Sequence, residues 1–133
     1  MTRRFAIAGW LASLGAALFA RPVRGVHYRV TRPPRIPASK RPAAADAEIG
    51  GPLWFDLIAE ERWPIRALDP ALYVGDVVID SYQYGNAENT MLRFTCYDPS
   101  QLQEGARVFV QYGQDTDSRT NLPEFRWADV ANQ

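Results

Sequence analysis

From Met91 to Tyr97 polar and apolar positions alternate: Leu92, Phe94 and Cys96 are separated by Arg93 and Thr95, with Tyr97 following. A period of two puts each set on its own face of a strand, so this stretch predicts a β-strand with an apolar inner face. Cys96 falls on that inner face with no His or cation beside it, which predicts a buried small hydrophobe and not a reactive thiol. Ala106, Val108, Val110 and Tyr112 share one face of a second strand by the same alternation. Upstream, Leu72 to Tyr84 is rich in β-branched and aromatic residues, and Gly85-Asn86-Ala87-Glu88-Asn89 supplies turn chemistry before Thr90. The two runs predict a hairpin.

Three strands with short connections predict an antiparallel meander, because parallel pairing needs a crossover of about a dozen residues. Asp98-Pro99-Ser100-Gln101 offers an N-cap and a proline, and so a single helical turn before Glu104-Gly105 reverses the chain. Residues 52–62 carry apolar side chains at 53, 54, 57 and 58, the spacing of one helical face, with Pro52 at the first turn and Trp63-Pro64 as the stop. They predict one short helix, with a strand as the competing assignment because Trp54, Phe55 and Ile58 also suit a sheet. With Phe125 and Trp127 this segment is the apolar cover, and strands near Ile65–Leu68 and Glu124–Trp127 would complete a small sandwich or partly open barrel. The expected fold class is mainly β, in one domain spanning 49–133.

The pattern ahead of that domain is different. Phe5 to Ala20 is sixteen residues without a charge, preceded by Arg3 and Arg4 and followed by Arg21 and Arg24. As a helix it reaches about 24 Å, against a hydrocarbon layer of about 30 Å, and its alanines make it softer than a typical span. Residues 1–20 therefore predict a hydrophobic signal or anchor helix. Thr2-Arg3-Arg4-Phe5 resembles the twin-arginine export signal. Residues 21–48 form a basic, proline-rich stretch in which five prolines up to Pro42 exclude a regular helix, predicting an extended arm.

Charge sharpens this division. The first forty-five residues hold nine basic side chains and no acid, and the remainder hold six basic and all fifteen acidic ones, so the formal net charge of +0 is +9 cancelled by −9. Arg21, Arg24, Arg29, Arg32, Arg35, Lys40 and Arg41 are the candidate partner-binding cations, facing an acidic protein surface or anionic lipid. An acidic domain behind the arm, and no base-stacking pattern, argue against nucleic acid. Tyr82 and Tyr84 add aromatic contact surface of the kind enriched in interfaces.

Catalytic motifs are not evident. The lone Cys96 rules out an internal disulfide, and His27, the single histidine, reads as an exposed residue of the arm. Asp115 to Asn121 starts like a calcium loop but has Arg119 at the fifth position, Thr120 where glycine is required, and Arg126 at the twelfth, so a polar surface turn is expected. Asp76 and Asp80 flank Val78 at even spacing, a conceivable acid–base pair for an enzyme, though edge charges that discourage aggregation explain them more simply. No catalytic residue, cofactor or metal is assigned.

The expected function is a non-catalytic, membrane-anchored accessory or structural subunit that docks on a larger membrane protein complex. Respiratory and photosynthetic electron-transfer complexes are the first hosts to consider. The domain is expected on the periplasmic side, because the uncharged stretch is short, N-terminal and alanine-rich, although the count of basic residues after Ala20 favours a cytoplasmic placement under the positive-inside rule. The alternative is a secreted periplasmic ligand-binding β domain released by cleavage after Ala20, and the Asp76–Asp80 enzyme ranks third.

Overall fold

Alternation at two residues governs the observed architecture even where the sequence obeys a second period. The computed structural model describes residues 21–34 and 51–132. Among them are nine strands: β1 (His27–Arg32), β2 (Leu53–Ile58), β3 (Pro70–Val74), β4 (Val77–Ile79), β5 (Tyr82–Tyr84), β6 (Met91–Cys96), β7 (Val108–Tyr112), β8 (Asp115–Leu122) and β9 (Val130–Asn132). The first sheet has the order β5-β6-β2-β1-β9 and the second β4-β3-β7-β8. Neighbours are antiparallel, except that β9 runs parallel to β1, with Val30 opposite Val130.

One core lies between the sheets, giving a β-sandwich-like fold. Leu53, Phe55 and Leu57 of β2, Leu92, Phe94 and Cys96 of β6, and Val30 of β1 meet Leu72, Val74, Val108, Val110 and Tyr112 of the second sheet. Phe125 enters from the segment after β8. Its ring lies 6.0 Å from Phe55 and 5.1 Å from Trp127, and its backbone is bound to Ala106 O and Gly105 N. The face assignments of β6 and β7 agree with expectation, as do buried Cys96, whose thiol burial pushes up, and the covering role of Phe125. Asp98 caps the expected turn, a 3-10 turn over Pro99–Gln101, by accepting from Ser100 N at 3.3 Å.

Several expectations are corrected. The segment 52–62 is not a helix. A strand turns three side chains, Leu53, Phe55 and Leu57, into the core and brings Asp56 opposite Arg93 and Arg29, pairings that a helix would forfeit. Leu72 to Tyr84 is not one strand: Gly75, at φ +60°, and Asp76 close a two-residue hairpin between β3 and β4. After Asp80-Ser81 the chain crosses to the first sheet as β5, so β6 pairs with β5 while β3 pairs with β7, and no single meander forms. Ile65–Leu68 and Glu124–Trp127 are not strands, and a 3-10 turn begins at Trp127.

Asp115 to Asn121 is strand β8 and not a surface turn. Polar residues are tolerated there because their hydroxyls replace backbone partners. Ser118 Oγ accepts from Tyr112 N at 2.9 Å and donates to Asp115 O at 2.6 Å, while Thr120 Oγ1 accepts from Val23 N at 3.2 Å.

The arm is also redrawn. Its first part supplies β1, inside the first sheet between β2 and β9, so the folded region begins well before residue 49. Pro22, Pro33 and Pro34 fall outside the strand and interrupt no ladder bond. The expected anchor helix over 1–20 and the rest of the arm, 35–48, lie outside the described residues.

Phe125 is fully buried, so Phe125→Ala is expected to cost about 3–5 kcal/mol, read as a lower urea midpoint at unchanged slope. A loss under about 1 kcal/mol would contradict its place in the core.

Candidate docking surface

With Leu53, Phe55 and Leu57 turned inward, Trp54, Asp56 and Ile58 face away from the core. Asp56 nevertheless has no solvent exposure. Strand register sets Arg93 on one side of it and Arg29 on the other. Arg93 donates through Nε to Oδ1 at 2.7 Å and through Nη2 to Oδ2 at 3.1 Å, and Arg29 Nε lies 3.6 Å from Oδ2. The Arg93 guanidinium also covers the Trp54 ring at 3.9 Å. Its hydrogen bonds to Asp56 raise its pKa. With both oxygens engaged, Asp56 is a fastener across three strands.

Among the described residues, the sequence-derived partner cations do not form one strip. Arg21 and Arg24 converge on Glu61 at 2.9 and 3.5 Å, and Arg29 turns to Asp56. Arg32 ends β1 opposite Asn132, half-buried. Arg35, Lys40 and Arg41 lie outside the described residues. Hydrogen bonding from Arg21, aided by Arg24, holds the Glu61 carboxyl at about 2. Tyr82 donates to Asp69 Oδ1 at 2.8 Å and packs on Phe94 at 5.8 Å, and the Asp69 bond pushes its hydroxyl up to about 12. Tyr84 is 37% exposed. Asp76 sits in the β3–β4 turn and Asp80 beyond the end of β4, so they do not share a strand face as expected. His27 opens β1, exposed.

The outer face of the second sheet brings together residues that sequence reasoning did not single out. Tyr73 and Phe109 are cross-strand partners with rings 4.7 Å apart and 11° from parallel. Arg119 lies 4.1 Å from the Phe109 ring and Arg107 at 5.3 Å. Arg119 is steadied by Gln111 Oε1, which accepts from its Nε at 3.0 Å, and Gln111 Nε2 in turn donates to Gly113 O at 2.9 Å. Arg107 Nη2 donates to Asn121 Oδ1 at 3.3 Å. Val78, opposite Tyr73, is 55% exposed and extends the row to the sheet edge.

The result is a row across four strands, apolar at Val78, aromatic at its centre and cationic at Arg107 and Arg119. Stacking and hydrogen bonds already order these side chains, so a partner binding there immobilises little further. Tyr and Arg are over-represented among residues that dominate interface energies. The available signal was subtraction: once Val108, Val110 and Tyr112 point inward, Phe109 must point out.

Arg93→Ala leaves a buried carboxylate short of its main partner and is expected to cost about 3 kcal/mol, whereas Asp56→Leu combined with Arg93→Met recovers most of that loss in chemical denaturation. A carboxyl depressed in the fold stabilises it above its unfolded pKa, so the Glu61 contribution is complete above 4.5 and disappears as pH falls to about 2. Glu61→Gln is expected to lower Tm slightly at neutral pH and to flatten the fall of Tm across that acid window. An unchanged acid limb in thermal melts would refute this. Set against family models, curated proteins and solved structures, the chain matches none.

Proposed function

We propose that the chain is a non-catalytic accessory subunit, fixed at a membrane by residues 1–20 and docked on a larger membrane protein complex through the outer face of its second sheet. The observation that carries this reading is the ordered Val78–Tyr73–Phe109 row with Arg107 and Arg119 at its end. A sheet face of this kind suits another protein surface better than a small ligand, whose sites are concave and enclosing. Two fixed guanidinium groups favour an acidic patch on that partner. The periplasmic side is the proposed placement, and an electron-transfer complex the proposed host.

The Val78 side chain is 55% exposed on an edge strand, so Val78→Asp is expected to leave stability within about 0.5 kcal/mol of the original. Together with Tyr73→Ala it is expected to lower recovery of the host complex, when tagged chain is purified from native membranes, by about tenfold or more. Undiminished recovery would refute the docking face. A solitary, monodisperse protein in the soluble fraction would refute the whole reading.

A further inference from the structure

Arg21 follows directly on the uncharged stretch 5–20, and it is locked to the folded domain. Its guanidinium donates two bonds to Glu61, Nη1 to Oε1 at 2.9 Å and Nη2 to Oε2 at 3.1 Å, and its carbonyl accepts from Arg66 Nη2 at 3.1 Å. Two residues on, Val23 is buried in the core. Arg24 O accepts from Glu60 N at 3.3 Å, and Arg24 N donates to Glu61 Oε1 at 3.2 Å. No slack linker separates the hydrophobic stretch from the sandwich.

The loop that grips Arg21 is itself pinned. The Arg66 side chain is only 10% exposed and lies over the Tyr112 ring at 4.4 Å, and Tyr112 donates to Pro64 O at 3.0 Å. Gly113 N donates to Asp69 O at 3.1 Å, and a Cβ at Gly113 would approach Leu68 Cδ1 to 2.4 Å, so the closeness of loop and turn depends on that glycine. Out of this rigid loop Ile65 projects with 86% exposure and Leu68 with 54%. Leaving such side chains in water forgoes the stabilisation that burying them would give. Tyr82 reaches the same loop through Asp69, with Tyr84 beside it on β5.

We propose that the 64–69 loop contacts a lipid surface, with Ile65 and Leu68 entering the boundary between headgroups and acyl chains beside the point where the polypeptide leaves the bilayer. This rests on the membrane-anchoring reading of residues 1–20. Consecutive Cα atoms are about 3.8 Å apart, so a segment that is in the membrane up to Ala20 brings the docked Arg21, and the loop holding it, to the headgroups. Tyrosines at the margin suit that amphipathic layer. Arg21 and Arg24 pair with Glu61, and Arg66 with Asp115 at 3.9 Å, so the proposed contact is the apolar one made by Ile65 and Leu68 and does not rest on anionic lipid.

The test uses the full chain with Cys96→Ala and a single fluorophore attached through Ile65→Cys, Leu68→Cys or, as control, Tyr97→Cys. Tyr97 is exposed at the far end of β6, about 20 Å along the strand from Thr90, whose carbonyl binds Trp63 beside the loop. With neutral phosphatidylcholine vesicles at high salt, the chain is expected to float with the lipid. Probes at 65 and 68 are expected to shift to shorter wavelength and to be quenched by spin-labelled lipid at least about twofold more than the probe at 97. Flotation with equal quenching at all three positions overturns the loop contact and leaves the anchor standing. Failure to float overturns both. Protection of 65 and 68 in native membranes but not in vesicles overturns the lipid contact and assigns the loop to a protein partner.

Discussion

Asp56 is the charge around which the first sheet is organised. A carboxylate without solvent exposure is tolerable only if its partners arrive in fixed positions, and Arg93 and Arg29 do so because strand pairing puts them directly opposite it. The requirement works in both directions. A one-residue slip of β1 or β6 against β2 would turn its arginine to the other face, leaving the acid short of a partner and a guanidinium in the core. One ion cluster therefore specifies the register of three adjacent strands, and with it the inward set Val30, Phe55 and Phe94 that the second sheet packs against. Desolvation offsets much of the attraction within such a cluster, so its net contribution to stability is smaller than its contacts suggest.

The two outer faces are stabilised by different means. On the first sheet, guanidinium, carboxylate and indole interlock and satisfy one another. On the second, Tyr73 stacks on Phe109 and Arg119 lies over the Phe109 ring, ordered on the outer face. The N-terminal root is tied to a third region, through Glu61 and the Arg66 loop.

How much of this was legible in the sequence depended on how local the deciding contact was. β6 and β7 were readable because their alternation is self-contained. β2 was not, since Leu53 to Ile58 satisfies both periods and the deciding partner, Arg93, lies thirty-seven residues away. β8 looks like a turn because the groups that satisfy Ser118 and Thr120, Tyr112 N and Val23 N, belong to other segments, the latter ninety-seven residues distant. β1 was masked by its cations and flanking prolines, although Tyr28 and Val30 alternate with Arg29 and Thr31. The docking face was implicit in the inward set of β7, while Tyr82, read as free aromatic surface, proved to be tied to Asp69.

The parallel pairing of β1 with β9 spans one hundred residues, from Val30 to Val130. A nascent chain thus exposes one edge of β1 until β9 emerges from the ribosome, and its first sheet stays incomplete until then. At about 5–20 residues per second that delay lasts about 5–20 s, an interval in which a chaperone or translocase can meet the polypeptide before the first sheet closes.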